Sequence, residues 1–211
     1  MICDIFKHFK TVCKHKYWVF RYSLLAGIPF RGLVHDLSKF SPTEFLTSVE
    51  YYSGKQSPVN VERNLKLYST IWLHHRGRNP HHFEYWVDKR SVGKNFSLVV
   101  VPMPFKYALE MICDWLGAGR AYLGKDFSMA KQVEFFDTAT FSPFIHPQTK
   151  EFVRLMYEEL LKAQDKQAEK EVFKRAEELY SRAWDIVLTD TKYINERVGV
   201  VCPVMYKDVI R

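Results

Sequence analysis

Apolar side chains recur at helical spacing along most of this chain, and glycine and proline interrupt the pattern at intervals. Residues 4–26 carry apolar positions on one helix face, and Gly27-Ile28-Pro29 then supplies a stop. Residues 148–188 contain neither glycine nor proline and keep the same spacing. We therefore predict an all-α helical bundle that ends in a helical hairpin or one long helix, with at most a minor short pair of strands.

The helix boundaries follow from capping and breaking residues. Ser41-Pro42-Thr43-Glu44 has the composition of a capping box with proline at the first helical position. Phe96–Val101 has strand composition, and Val198–Val204 is a candidate partner for it. The helices predicted before the C-terminal third cover residues 4–26, 31–39, 42–52, 61–75 and a segment that Pro104 opens.

The composition is that of a globular protein, with 47% hydrophobic and 26% charged residues. The longest strongly apolar stretch, 96–105, contains two prolines and is shorter than the roughly 20 residues that cross a bilayer. We expect no membrane span, and a cytosolic location because residues 1–16 lack the apolar core of a secretory signal. The four cysteines are scattered without a C-x-x-C pair, and we expect reduced, mostly buried thiols.

The positive charge is concentrated in the first half of the chain. Up to Val101 there are 15 Lys and Arg against 7 Asp and Glu, and beyond it the two kinds nearly balance. A basic half attracts anions, which include phosphate esters, nucleic acid and acidic lipid headgroups. A solvated basic surface without a partner is the alternative interpretation.

Seven of the eight histidines lie between His8 and His82, mostly in clusters. His35-Asp36 is flanked by leucine and valine, where an ionised aspartate is costly unless it is paired or binds a metal. Neutral imidazole is the commonest protein ligand for metals, and a neighbouring carboxylate balances the charge of a divalent ion. The pattern predicts a mixed His and Asp metal centre. We assign His8 and His146, which lack such partners, to the surface or to helix ends.

The ordered set His15, His35-Asp36, His74-His75, His81-His82 and Asp114 resembles the HD-domain superfamily of metal-dependent phosphohydrolases, whose pattern is H, HD, further H, then D. The resemblance covers residues 14–118. The stretches HHRGRNPHHFEYW and EMICDW also look like an uncharacterised HD-like family of bacteria and phages. The resemblance implies an HD-like core over residues 1–125, with residues 126–211 as a helical extension packing on that core.

The resemblance also implies one or two divalent ions, with Mn, Fe, Co, Zn and Mg as candidates. His15, His35, Asp36 and Asp114 would hold the principal ion, and Asp36 would bridge to a second. His75 and His82 are our choice to complete the second site, with His74 and His81 as alternatives.

The implied reaction is hydrolysis of a phosphate ester, with a nucleotide or another small phosphorylated metabolite as substrate. Asp36, Lys39 and Asp114 are the expected catalytic residues. Lys39 lies three residues after Asp36 and is also expected to bind the substrate phosphate, together with Arg76, Arg78 and Arg120.

Two other functions are compatible with the same residues. The site also resembles the inositol oxygenase group of HD proteins, in which two irons activate oxygen, and a histidine-rich site suits iron. A basic nucleic-acid-binding protein with a structural metal is the third interpretation. It is weakened because no nucleic-acid motif is present and because structural metal sites favour cysteine.

Overall fold

The computed structural model describes residues 2–54, 56–92, 95–139 and 144–189, which fold mainly as helices. Six helices precede residue 125, namely α1 (Ile2–Leu25), α2 (Pro29–Val34), α3 (Pro42–Glu50), α4 (Pro58–Lys66), α5 (Thr70–Arg76) and α6 (Phe105–Leu123). Four follow it, namely α7 (Met129–Thr138), α8 (Pro147–Lys162), α9 (Lys166–Lys174) and α10 (Ala176–Thr189). In this part of the chain, no helix combines the length and hydrophobicity needed to cross a membrane. The all-α prediction is confirmed.

A single hairpin supplies the strands of the described residues. Strand β1 (Val87–Val92) pairs with β2 (Asn95–Val100) in antiparallel register, with Val87 opposite Val100. The strand predicted at Phe96–Val101 is therefore present, but it pairs with the segment just before it. The candidate partner Val198–Val204 lies outside the described residues.

The capping box predicted at Ser41 forms only in part. The Ser41 side chain accepts a hydrogen bond from the Glu44 backbone N–H at 3.3 Å, and Pro42 occupies the first helical turn. The Glu44 carboxylate, which would complete the box, instead contacts histidines of α5. Helix α3 begins where the sequence predicts, and its capping glutamate points into the interior.

The helix predicted over residues 31–39 is wrong. Helix α2 ends at Val34, and His35 and Asp36 form a turn, with Asp36 in the left-handed conformation at φ 54°, before the 3-10 helix Leu37–Phe40. The Lys16 ammonium donates to the Leu33 and His35 carbonyls, both at 2.7 Å. A cation therefore satisfies carbonyls that a continuing helix would have used.

The helix predicted over residues 61–75 is also wrong, because two helices occupy that range. Leu67 has φ 67° and ends α4, and Ser69 caps α5 by accepting from the Trp72 N–H. The Glu62 carboxylate accepts hydrogen bonds from the hydroxyls of Ser69 and Thr70, both at 2.6 Å. Glu62 thus joins the two helices at the break.

The C-terminal third contains more helices than the sequence predicts. Helices α8 and α10 pack against each other, as in the predicted hairpin, but α9 separates them along the chain. Asp165 interrupts the apolar pattern and caps α9 by accepting from the Ala168 N–H at 2.8 Å. Helix α7, which precedes this region, was not predicted.

One hydrophobic core joins the N-terminal and C-terminal helices around α6. Its buried residues include Val19 of α1, Leu116 of α6, Phe152 of α8 and Leu179 of α10. Helices α1 and α6 approach closely at Gly117, where an added Cβ would lie 2.6 Å from Val19 Cγ2 and 2.8 Å from the Val19 backbone nitrogen. This approach sets the distance between facing side chains of α1 and α6.

The two histidines assigned to the surface or to helix ends are both buried. His8 lies in the second turn of α1 with its side chain buried and its ring 5.2 Å from that of Phe45, so its assignment is wrong. His146 does lie at a helix end, where it caps α8 by accepting from the Gln148 N–H. Of the described cysteine side chains, Cys113 is buried and Cys13 is exposed.

Candidate metal centre

The first group of ligand-type side chains comes from three separate segments of the chain. His15 lies on α1, His35 and Asp36 follow α2, and Asp114 lies on α6. His15 Nε2 lies 3.0 Å from Asp114 Oδ1, and His35 Nε2 lies 3.2 Å from the same oxygen. All four residues are buried, and one ligand atom from each lies within 4.8 Å of the others. We call this group the principal set.

A second buried group shares Asp36 with the first. It combines Asp36 with His75 near the end of α5 and with His81 and His82 just beyond that helix. His75 Nε2 and His81 Nε2 lie 3.2 and 3.3 Å from Asp36 Oδ1. The ligand atoms of these four residues also lie within 4.8 Å of one another. We call this group the second set.

Asp36 presents one carboxylate oxygen to each set. Its Oδ2 faces His35 at 3.2 Å and His15 at 3.6 Å, and its Oδ1 faces His75 and His81. The left-handed backbone of Asp36 turns the chain sharply after α2 and places this side chain between the sets. A carboxylate shared in this way has the arrangement of a bridging ligand.

Several nitrogens of the second set have no hydrogen-bond partner among the described residues. The Nε2 atoms of His75, His81 and His82 are all buried and make no hydrogen bond to the described residues, although those of His75 and His81 lie within ion-pair distance of Asp36 Oδ1. A buried polar atom without a partner costs about 1–3 kcal/mol. Because imidazole Nε2 is a common metal donor, a divalent ion would satisfy the three atoms together. The residues present therefore fit a metal.

Two carboxylates outside the sets orient the histidines within them. Glu110 Oε1 lies 3.0 Å from His35 Nδ1, and Glu44 Oε2 lies 2.8 Å from His75 Nδ1. An ionised carboxylate only accepts hydrogen bonds, so each Nδ1 carries the proton, and in the neutral ring Nε2 then has a free lone pair. Carboxylates of this kind are typical of metal-binding histidines.

The electrostatics keep the carboxylates ionised and His82 neutral. Burial disfavours the charge of Asp36, but His35 and Lys39 outweigh it and hold the pKa of Asp36 well below its usual value. Burial likewise opposes the charge of Glu110, but hydrogen bonds from His35 and His81 lower the pKa of Glu110 to about 2. Burial, followed by the charges of His81 and His75, lowers the pKa of His82 well below its usual value.

Residues 4–159 match the sequence model of a family described as "Family of unknown function (DUF5662)". The chain belongs to this family. The matched range contains every residue of the principal and second sets. No curated protein and no solved structure matches the chain.

In this DUF5662 protein the predicted ligands come together with one addition. His15, His35, Asp36, His75, His82 and Asp114 all belong to the two sets, and His81, predicted only as an alternative, joins them. His74 does not belong to either set. Its Nδ1 lies 2.6 Å from Glu44 Oε1, whereas His75 Nδ1 contacts the other oxygen, Oε2.

Of the four residues predicted to bind phosphate, Lys39 is the one whose side chain contacts a carboxylate of the two sets within the described chain. Lys39 Nζ lies 2.5 Å from Asp36 Oδ2, and about one third of the Lys39 side chain is exposed. Arg78 donates to the His74 carbonyl, and Arg120 donates to the Tyr22 hydroxyl and lies over the Phe127 ring. Arg76 is partly buried, with its charge near that of Glu84.

The carboxylates that orient the two sets are not predicted by the sequence pattern. Glu44 is predicted only as part of a helix cap, and Glu110 lies in the stretch EMICDW without a predicted role. Their signal is weak in the DUF5662 sequence, because Glu110 precedes Asp114 by one helical turn but contacts a histidine 75 residues away. Arg31, which donates to Glu110, lies on α2 and gives no such signal.

Proposed function

We propose that this DUF5662 protein is a metal-dependent phosphohydrolase that holds two divalent cations and hydrolyses a phosphate ester. The observation that carries the proposal is the position of Asp36, whose two oxygens face two separate sets of buried histidine and carboxylate ligands. Paired metals that share a ligand are a recurring arrangement in phosphatases and nucleases. The order of the ligands along the chain also resembles that of HD-domain phosphohydrolases.

Two divalent ions bound at these sets would polarise the phosphoryl oxygens and make water a better nucleophile near neutral pH. The chain contributes the placement of the reacting groups. Asp114 is buried beside His15 and His35, where its carboxylate can accept a hydrogen bond from the attacking water. In the overall reaction, water contributes its oxygen to phosphorus, the ester P–O bond breaks, and the alcohol leaves with a proton.

Lys39 is the residue best placed to bind the substrate anion. Its ammonium contacts Asp36 while part of its side chain reaches solvent. Burial opposes the charge of Lys39, but the Asp36 and Asp114 carboxylates outweigh it and raise the pKa of Lys39, so the side chain stays cationic. A fixed cation at this position neutralises phosphoryl oxygens, which is where catalysis of phosphoryl transfer mostly acts. A nucleotide or another small phosphorylated metabolite is the substrate class that we propose.

The test is hydrolysis of a panel of nucleotides, phosphomonoesters and phosphodiesters by protein loaded with Mn²⁺ or Co²⁺. We expect activity on at least one substrate and a loss of roughly 100-fold or more in kcat/KM for Lys39→Met. Lys10→Met, which removes an exposed lysine of α1, should retain the activity. An inactive wild-type protein with both metals would refute the proposal, and equal activity of the two lysine variants would remove Lys39 from it.

A dinuclear iron oxygenase is the second candidate, and the number of imidazoles favours it. Five histidines face the two carboxylates of the sets, and such a nitrogen-rich environment suits iron better than magnesium or calcium. This candidate predicts iron in the purified protein and visible absorption that develops in air. Mn²⁺-supported hydrolysis by protein that contains no iron would decide for the phosphohydrolase.

A further inference from the structure

Glu110 lies outside the two ligand sets and contacts one histidine of each. It is buried on α6, one helical turn before Asp114. A single oxygen, Oε1, lies 3.0 Å from His35 Nδ1 and 3.4 Å from His81 Nδ1. His35 belongs to the principal set and His81 to the second set, so this oxygen contacts one histidine of each.

The two histidines connect Glu110 to Asp36 through parallel routes. Their rings stack with centroids 4.3 Å apart and planes inclined by 37°. His35 Nε2 faces Asp36 Oδ2 at 3.2 Å, and His81 Nε2 faces Asp36 Oδ1 at 3.3 Å. Glu110 therefore contacts the outer nitrogens of both rings, while Asp36 contacts the inner ones.

Arg31 fixes the remaining oxygen of Glu110. The Arg31 Nε donates to Glu110 Oε2 at 2.7 Å, Nη2 contacts the same oxygen, and the guanidinium lies over the Tyr107 ring. His35, His81 and Glu110 could themselves hold a cation, since their ligand atoms lie close together. The adjacent guanidinium charge disfavours a cation there, and it leaves Glu110 as a fixed acceptor for the two histidines.

We infer that Glu110 is a positioning residue that couples the two ligand sets, because one carboxylate orients a metal-facing histidine of each set. The inference rests on the two-cation centre of the proposed function. Glu110 Oε1 holds the Nδ1 sides of His35 and His81 towards itself, so the Nε2 atom of each ring is turned towards its own set. Removing this shared acceptor would therefore weaken the binding of an ion in both sets.

Glu44 provides the matched control. It also orients a ligand histidine from outside the sets, but among the described residues of the two sets it contacts only His75, which belongs to the second set. Glu44→Gln and Glu110→Gln make the same chemical change on a buried glutamate. Of the two, only the Glu110 carboxylate contacts both sets.

The test is calorimetric titration of the wild-type protein, Glu110→Gln and Glu44→Gln with Mn²⁺, with the visible absorption of Co²⁺ as a second readout. Outer carboxylates of this kind typically change metal affinity about 10–100-fold. We expect Glu110→Gln to lower the affinity for both ions at least tenfold. The Co²⁺ absorption should change for the ion of each set. Glu44→Gln should lower the affinity for the ion of the second set and leave the affinity for the other ion within about threefold of wild type, because Glu44 contacts only the second set.

Loss of only one ion in Glu110→Gln, or no loss, would overturn the coupling. Should Glu110→Gln fail to fold, Arg31→Lys replaces the forked donor by a point charge and should give a smaller loss at both ions. Wild-type protein that binds two ions without hydrolysing any ester would refute the proposed reaction while leaving the coupling to be decided by the titrations. Wild-type protein that binds no ion would refute both.

Discussion

At the scale of single residues, the backbone of Asp36 is the feature on which the arrangement of the centre depends. Its φ of 54° lies in the left-handed region, which costs an ordinary residue about 1–3 kcal/mol and is tolerated best by Asn and Asp. The turn lets His35 and Asp36 face different directions within one buried space. A continuous helix through these residues would not place the two Asp36 oxygens against separate sets.

The neighbouring histidines of α5 give the sharpest single-residue prediction. His75→Ala removes a nitrogen of the second set and should weaken one ion at least tenfold, because no other described side chain replaces that donor. His74→Ala removes a residue that contacts Glu44 but lies in neither set, and it should keep both affinities within about threefold. Calorimetric Mn²⁺ titration of the two variants compares them, and equal losses would contradict the assignment of His75.

The sequence indicates which residue types form the centre more readily than it indicates which of these residues contact one another. The pair His35-Asp36 could be proposed from its apolar neighbours, because a buried ionised aspartate needs a partner. His15 and Asp114 are expected as ligands only from the resemblance to the HD-domain order. His75 was preferred to His74, but the sequence could not exclude His74, since adjacent helical residues differ by about 100° in direction and nothing local fixes the rotation of the helix. The contact of Glu44 with His75 could not be predicted, because the sequence position of Glu44 is already explained by a helix cap.

At the scale of secondary-structure elements, the closeness of α1 and α6 brings His15 and Asp114 together. Gly117 permits it, because a Cβ there would meet both the side chain and the backbone of Val19. Gly117→Ala should therefore destabilise the fold by about 1–3 kcal/mol, as overpacking does. It should also lower the affinity of the principal set for its ion. Thermal unfolding and metal titration test both effects.

Gly119→Ala is the control for that substitution. The three atoms nearest to its added Cβ, at 2.7 to 2.9 Å, all belong to the side chains of Gln132 and Phe127. Side chains can move where backbone cannot, so we expect a smaller stability loss and unchanged metal affinity. Equal effects of the two substitutions on the metal would show that the α1–α6 distance does not control the centre.

The junction of α4 and α5 gives a prediction with a pH dependence. Hydrogen bonds from Ser69 and Thr70 outweigh the burial of Glu62 and lower the pKa of Glu62 from 4.5 to about 2. Because the folded-state pKa is lowered, this stabilisation is complete above about pH 4.5 and is lost as the pH falls towards 2. Glu62→Gln should lower the free energy of unfolding by about 1–3 kcal/mol at pH 7.

The difference in the free energy of unfolding between wild type and Glu62→Gln should shrink as the pH is lowered from 4.5. The other carboxylates titrate in both proteins, so their effects cancel in this difference. Urea unfolding at several pH values measures it. Glu50→Gln changes an exposed glutamate at the end of α3 and should show little difference at any pH. A Glu62→Gln deficit that stays constant down to pH 3 would contradict this role of the carboxylate.

Helix starts could be predicted from the sequence more readily than helix ends. Pro42 and Pro104 mark helix starts through local stereochemistry, and α3 and α6 begin there. The ends of α2 and α4 depend on distant partners or on the left-handed residues Asp36 and Leu67. Leu67 has no sequence signal for that conformation, which is typical of glycine or asparagine, so the pattern appeared continuous.

At the scale of the whole molecule, one core supports a centre built from distant parts of the chain. Residues before and after position 125 contribute to that core, with α6 in contact with α1, α8 and α10. Helix α6 carries Asp114 and Glu110, so the C-terminal helices help to position the centre although none of them supplies a ligand within the described residues. The apolar periodicity predicted the helices, but it could not predict which of their faces meet.

The central claim is that two cations share Asp36. Elemental analysis after equilibration of the purified protein with Mn²⁺, Co²⁺, Zn²⁺ or Fe²⁺ and removal of free metal tests it most directly. We predict two ions per wild-type chain with at least one of these metals, two for the exposed control Asp88→Asn, and none for Asp36→Ala. Two ions retained by Asp36→Ala, or none bound by the wild-type protein, would contradict the account.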